Sequence, residues 1–512
     1  MKQFMHSFVG FTAPPAILQG VARGEIRSFC LFADQNVESP AQLRQMNLSL
    51  WQAALDNGEL PPLIGIDQEG GQLIAISNGT TELPGNMALG ATRSPELAYQ
   101  AGVVLGRELL AMGVNVDLAP ALDVNINPQN PVIGTRSFGD DPEWVGTLGV
   151  ALIKGLQDQG VLATAKHFPG HGDTCIDSHY ATPIVKHNEA RLNQVELKPF
   201  RMAISAGVQA ILTAHVTYAA LDPDYPVTLS SKVLTEFLRR ELGFTRLLIT
   251  DAMDMHAVTR FGVEQSIERA LEAGSDLILL AHLEDQLDLA ERFSSYENPQ
   301  AVERIMAAQR LVPKEIPPLG VVGSRKHLAV AQEIADRSIT VVRDENQQIP
   351  LRLTPDTQLG VVSVQPENLT PADTSATVSN QLAERISERH RKTIELVLSL
   401  SPSENEIREI LDRLKSVDRV IISTISAEQY TGQAHLIQEL SARGESPIVV
   451  SLRTPYDIIV FPEITTYICA YSIRAATIEA IVRVLFGEIP AVGVLPCTIP
   501  GITPQYPGGI FT

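Results

Sequence analysis

At roughly 150 residues per domain, a chain of 512 residues holds two or three domains, leaves room for a large barrel, and excludes a miniprotein stapled by disulfides. Hydrophobic residues at 44% beside 19% charged ones, with 35 Gly and 33 Pro, describe a globular protein with many ordered turns and exclude wholesale disorder. Lys and Arg number 40 against 59 Asp and Glu, and the resulting charge of −19 opposes attraction to phosphate backbones or anionic membranes, so no nucleic-acid or membrane partner is expected.

From the N-terminus, Met1 to Gly24 has an apolar stretch broken by His6, Gly10, Pro14 and Pro15, which lacks the continuous apolar segment of a signal peptide. No later run approaches the ~20 apolar residues of a membrane span. Cys30, Cys175, Cys469 and Cys497 are widely spaced and form no C-x-x-C pair, which fits a reducing compartment. A cytoplasmic location is therefore expected. Apolar, β-rich runs then alternate with helical patterns, and eight strands are predicted: Ser7–Phe11, Ser28–Phe32, Leu63–Ile66, Val114–Leu118, Leu162–Ala165, Ala210–Ala214, Leu247–Thr250 and Leu277–Leu280. Repeated βα units of this number predict an α/β fold with an N-terminal (β/α)8 TIM-type barrel over residues 1–310. Pro313, Pro317, Pro318 and Gly320 punctuate a linker at 311–323. Residues 324–512 then read as a smaller α/β sandwich domain with a mostly parallel sheet. Its predicted strands are Ser338–Val342, Leu359–Val364, Thr393–Leu398, Arg419–Ser423, Pro447–Leu452 and Tyr467–Tyr471.

In such barrels chemistry sits at the C-terminal strand ends. Strand three runs into Asp67-Gln68-Glu69-Gly70-Gly71, strand four toward Asp123, strand five into Lys166-His167, strand six into His215 and strand seven into Asp251. One polar strand end merely meets solvent; five in register point to a site. The densest loop, Lys166 to His179, carries His167, His171, His179, Asp173 and Asp177. Two chemistries could use it. Asp177 could accept a hydrogen bond from one nitrogen of His179, leaving the other for general acid and base work. Alternatively His167, His171, Asp173 and His179 could ligate a divalent metal, against which their irregular spacing weighs. Asp251, delivered directly by its strand, could attack an anomeric carbon; Asp254, one turn later, competes for that role.

The segments Asp67–Gly71, Lys166–Gly172 with Asp177-Ser178-His179, and Thr250–Met255 resemble NagZ-type β-N-acetylglucosaminidases of glycoside hydrolase family 3. Gly113–Asp123 and Ile133–Gly139 extend the resemblance across the barrel, and Arg337–Arg343 and Leu485–Glu488 extend it into the second half. The resemblance implies a retaining hydrolase without metal or cofactor, acting on a small carbohydrate such as a muropeptide from peptidoglycan recycling. Asp251 would be the nucleophile and His179 with Asp177 the acid/base dyad. Asp67, Arg136, Lys166 and His167 would hold the sugar hydroxyls through charge-assisted hydrogen bonds. The family usually carries Arg-x-x-Arg after Glu-Gly-Gly; this chain has Gln72-Leu73-Ile74-Ala75, so either another side chain, for example from the second domain, supplies the last contact or recognition differs. A β-glucosidase, a phosphorylase using phosphate as acceptor, and an inactive carbohydrate-binding protein are the alternatives. Neither the acceptor, the aglycone nor the oligomeric state follows from the residues.

Overall fold

The computed structural model describes residues 1–505, and within it the apolar runs of the first half become strands because both their faces are covered. They are β1 (Phe4–His6), β2 (Ser28–Cys30), β3 (Leu63–Ile66), β4 (Val116–Asp117), β5 (Leu162–Phe168), β6 (Ala210–Thr213), β7 (Leu247–Ile249) and β8 (Ile278–Leu279). Every pair is parallel, in the order β7-β6-β5-β4-β3-β2-β1-β8. A parallel bridge between Ile249 and Leu277 joins the ends of this row, so the sheet is a nearly closed barrel.

The first strand corrects the expectation. Met5 pairs with Leu279 on one side and Ser28 on the other, whereas Ser7–Phe11 is loop, with Val9 78% and Phe11 46% exposed. Both segments are apolar, and what separates them is the pairing available to each, together with a φ of 122° at Gly10 that ends extended backbone. Strand five also runs further than expected, carrying Lys166 and His167 within its length.

Helices alternate with the strands. In α1 (Pro95–Ala111) the Ser94 side chain caps the start by accepting from the Leu97 N–H at 3.3 Å, and in α2 (Pro142–Gln157) Asp141 accepts from Glu143 N–H at 2.8 Å. The two pack closely where glycines meet. A Cβ on Gly102 would lie 2.2 Å from the Leu152 carbonyl oxygen, and one on Gly155 would lie 2.2 Å from that of Tyr99. Any side chain there would force the helices apart.

The second half builds a six-stranded sheet from β9 (Thr340–Asp344), β10 (Leu359–Val364), β11 (Thr393–Leu398), β12 (Arg419–Thr424), β13 (Ile448–Ser451) and β14 (Thr466–Cys469). The order is β9-β14-β13-β12-β10-β11, parallel throughout except for β9 against β14 at one edge. Between the halves, α3 (Arg325–Ser338) packs against α1, against the short helix Asn86–Thr92 and against α4 (Ala475–Leu485). The buried Glu108 on α1 ties this junction, accepting from the Thr81 N–H at 2.9 Å and the Gly323 N–H at 3.0 Å and meeting His327 Nδ1 at 2.8 Å. Among the described residues no helix is long and apolar enough to cross a membrane.

Candidate active site

The C-terminal ends of the barrel strands open into a cavity of about 850 Å³. Its floor is an unbroken series of charged contacts. Lys166 Nζ lies 2.5 Å from Asp67 Oδ1 and 2.6 Å from Glu69 Oε1. Arg136 grips Glu69 with two parallel bonds, Nε to Oε2 at 2.9 Å and Nη2 to Oε1 at 2.7 Å. Its Nη2 also sits 3.3 Å from His167 Nε2, and His167 Nδ1 is 2.8 Å from Asp123 Oδ2. Burial opposes the charge on Glu69, but Arg136 and Lys166 together outweigh it and hold the carboxyl at about 2. The same carboxylates overcome burial at Lys166 and lift its ammonium to about 12. Glu69 is therefore held as a carboxylate between two cations, and Asp67, Arg136, Lys166 and His167 all line the cavity.

The loop after β5 rises from this floor. Its path is closed down on the loop after β4, for a Cβ on Gly172 would lie 1.8 Å from the Val124 carbonyl oxygen. Asp123 Oδ1 accepts the His171 N–H at 2.6 Å. The His171 ring is held at both nitrogens, 2.8 Å from Thr174 Oγ1 and 3.1 Å from Ser178 Oγ, and burial brings it down to about 4. Further along, Asp177 Oδ1 accepts the His179 N–H at 2.9 Å and meets His179 Nδ1 at 2.6 Å. Burial favours the neutral imidazole, but the hydrogen bond and charge of Asp177 outweigh it and raise His179 above its ordinary value. Asp177 is reciprocally lowered, again against burial. With Nδ1 engaged, Nε2 is the His179 nitrogen available to a molecule in the cavity, which His179 lines.

Asp251 follows β7 directly and lines the same cavity. Its Oδ1 accepts the Ala252 N–H at 2.8 Å, and His215, His167 and that bond hold it below the usual carboxylate value against the opposing effect of burial. Asp254 also lines the cavity, but its Oδ2 is committed to the Nδ1 and N–H of His282 at 3.0 and 3.2 Å. The four residues of the metal reading do not converge: His167, His171 and His179 face Asp123, Thr174 with Ser178, and Asp177, while Asp173 pairs with His187. Asp173, His187 and Glu196 do cluster, though Arg191 already occupies Glu196 with bonds of 2.9 and 3.1 Å.

Glu69, Asp123 and His215 belong to the strand ends that point to a site, but the sequence assigns none of the three a role; position in the barrel is their only signal. The second half contributes as well, since Asn368, Pro371, Ala372, Asp373, Thr374 and Thr377 line the cavity, attached to the barrel segment that leads into Ala75. No local motif announced that segment.

The family model described as Glycosyl hydrolase family 3 N terminal domain matches residues 16–314. Among curated relatives, a beta-hexosaminidase A of Pseudoalteromonas piscicida is 29% identical over 95% of this chain and 92% of its own. A beta-hexosaminidase of Nitrosomonas eutropha is 41% identical over 50% of this chain and 74% of its own. Among solved structures, a glycoside hydrolase family 3 beta-N-acetylglucosaminidase from Paenibacillus sp. superposes with a TM-score of 0.90 at 34% identity, covering 97% of each chain.

Proposed function

Since the chain belongs to glycosyl hydrolase family 3, we propose that it is a β-hexosaminidase that releases terminal β-linked N-acetylglucosamine with retention of configuration. The observation that carries the mechanism is one cavity lined by two groups with opposite tendencies: Asp251, whose carboxylate form is favoured, and His179, whose protonated form is favoured by Asp177 at 2.6 Å. In the first step Asp251 attacks the anomeric carbon while His179 Nε2 gives its proton to the departing glycosidic oxygen, leaving a glycosyl ester on Asp251 and a neutral imidazole. In the second step that imidazole takes a proton from water, the resulting hydroxide equivalent displaces Asp251, and the free sugar leaves. A transition state with positive charge on the ring is favoured by an aspartate that stays ionised. Asp67, Arg136, Lys166 and His167 bind the hydroxyls, their orientations fixed by Glu69 and Asp123 before substrate arrives. None of these steps calls on a metal or an organic cofactor. Muropeptide fragments in the cytoplasm are the proposed natural substrate.

Initial rates on nitrophenyl β-glycosides of N-acetylglucosamine, glucose, xylose and N-acetylgalactosamine test this reading. Preference for the N-acetylglucosaminide is expected, with muropeptides cleaved in turn. A preference for glucoside would reassign the sugar, and no turnover of any member would discard the hydrolase.

A further inference from the structure

The cavity wall supplied by the second half is fastened to the barrel around Gln72, through both its side chain and its main chain. Its Oε1 accepts from Arg453 Nη2 at 2.6 Å and from Thr135 Oγ1 at 2.7 Å, and its Nε2 donates to the Ala372 carbonyl at 3.2 Å. Its own carbonyl accepts from the N–H and hydroxyl of Thr374 at 2.8 and 3.0 Å. Arg453, in the turn after β13, reaches the wall a second time through Asp373, Nη1 to Oδ2 at 2.6 Å; Asp373 in turn accepts the N–H groups of Leu369 and Ser375. Thr374 Oγ1 further accepts the Ile74 N–H at 3.1 Å and Arg474 Nη2 at 3.2 Å. Gln72, Arg453 and Asp373 are all buried. The side chains thus form a bolt from the second sheet, through Gln72, to Thr135, whose neighbour Arg136 lies on the cavity floor.

We propose that Arg453, Gln72 and Thr374 are positioning residues of the active site, which hold segment 368–377 as a preordered wall and so set the affinity for substrate without touching the reacting atoms. The reasoning rests on the hydrolase reading above. A segment left free would have to be ordered each time substrate bound, and that entropy would be subtracted from affinity. A segment already ordered leaves the cavity shaped in advance. Ala75 offers the cavity only a methyl group, and Pro371, Ala372 and Thr377 of the attached segment line the same cavity, so a position lacking a long side chain is supplemented by a second element. Asp251 and His179 take no part in the bolt, and the chemical step should therefore be indifferent to it.

The test is steady-state kinetics on nitrophenyl N-acetylglucosaminide with the full chain and three variants, each checked for native near-ultraviolet circular dichroism. Arg453→Met removes both charged anchors, and Thr374→Val removes the hydroxyl that makes three bonds at nearly constant volume. For both we expect KM to rise about tenfold with kcat within twofold of wild type. Gln72→Glu keeps an acceptor facing Arg453 but turns a carboxylate oxygen toward the Ala372 carbonyl, so its KM is expected to rise as well, and an unchanged KM would count against Gln72 as a fastening of the wall. Unchanged KM in Thr374→Val and in folded Arg453→Met, or a fall confined to kcat, overturns the proposal; should Arg453→Met not fold, Thr374→Val decides. Absence of turnover by the wild-type chain is a distinct result, which removes the hydrolase reading itself.

Discussion

At the residue scale the site separates protonation states by environment. Asp251→Ala should lower turnover by about four orders of magnitude or more, and sodium azide should restore it by attacking from the vacated face to give the α-glycosyl azide. His179→Ala should lower kcat/KM by about 10² to 10⁴ for an alkyl aglycone and far less for dinitrophenyl, which leaves without proton transfer. Equal losses for the two leaving groups would count against His179 as the acid. The role of Asp177 has its own signature. It raises His179, so the alkaline limb of the kcat/KM profile should lie above the ordinary histidine value, and Asp177→Asn should move that limb to lower pH. The residues of this dyad were legible because their spacing of two within a Gly-rich loop already allows the bond. The part played by Asp123 was not, since it meets the His167 ring and the His171 N–H only after the loops of β4 and β5 stack.

At the scale of elements, the ends of β3 and β5 and the turn carrying Arg136 are joined by Glu69, whose side chain is 1% exposed between two cations. Replacing one member of such a buried network strands the others, and Glu69→Gln should destabilise the fold by about 3 to 5 kcal/mol at neutral pH. Because the Glu69 pKa is depressed from 4.5 to about 2, its contribution is complete above the unfolded value and disappears as pH falls toward the folded one. Urea midpoints of the two proteins should therefore converge between pH 4.5 and about 2, and a constant gap across that range would contradict the assignment. Most strands were readable from continuous apolar runs, but β1 was placed a few residues late. Periodicity cannot rank Phe4–His6 against Ser7–Phe11 when both are apolar; hydrogen bonding to β2 and β8 decides between them.

At the scale of the whole molecule, we propose that the division into a barrel at 1–310, a linker at 311–323 and a second domain from 324 onward marks two folding units that do not work apart. Helix α3 lies against barrel helices on one side and α4 on the other, and Arg474, fully buried, donates to the Gly71 carbonyl at 2.7 Å while pairing with Glu82 at 3.3 Å. A chain truncated after Pro318 should expose the apolar surface under α3, melt at a lower temperature and lose most of its affinity for the glycoside, as calorimetry and initial rates would show. A truncated chain with full stability and activity would make the second domain an appendage. The two-part organisation could be read from the Pro-rich linker, yet the docking could not, because Arg453 and Gln72 stand 381 positions apart and nothing near either marks the other as its partner.

The shared wall also bears on how such a chain diversifies. The carboxylate and imidazole proposed to make and break bonds are encoded in the first half, whereas part of the cavity wall is encoded more than a hundred residues later. Mutation can then redraw the list of accepted glycosides by lengthening, shortening or recolouring segment 368–377 while the chemistry is inherited unaltered. Substrate range and catalytic power become separately heritable, and grafting that segment between relatives transplants the first without endangering the second.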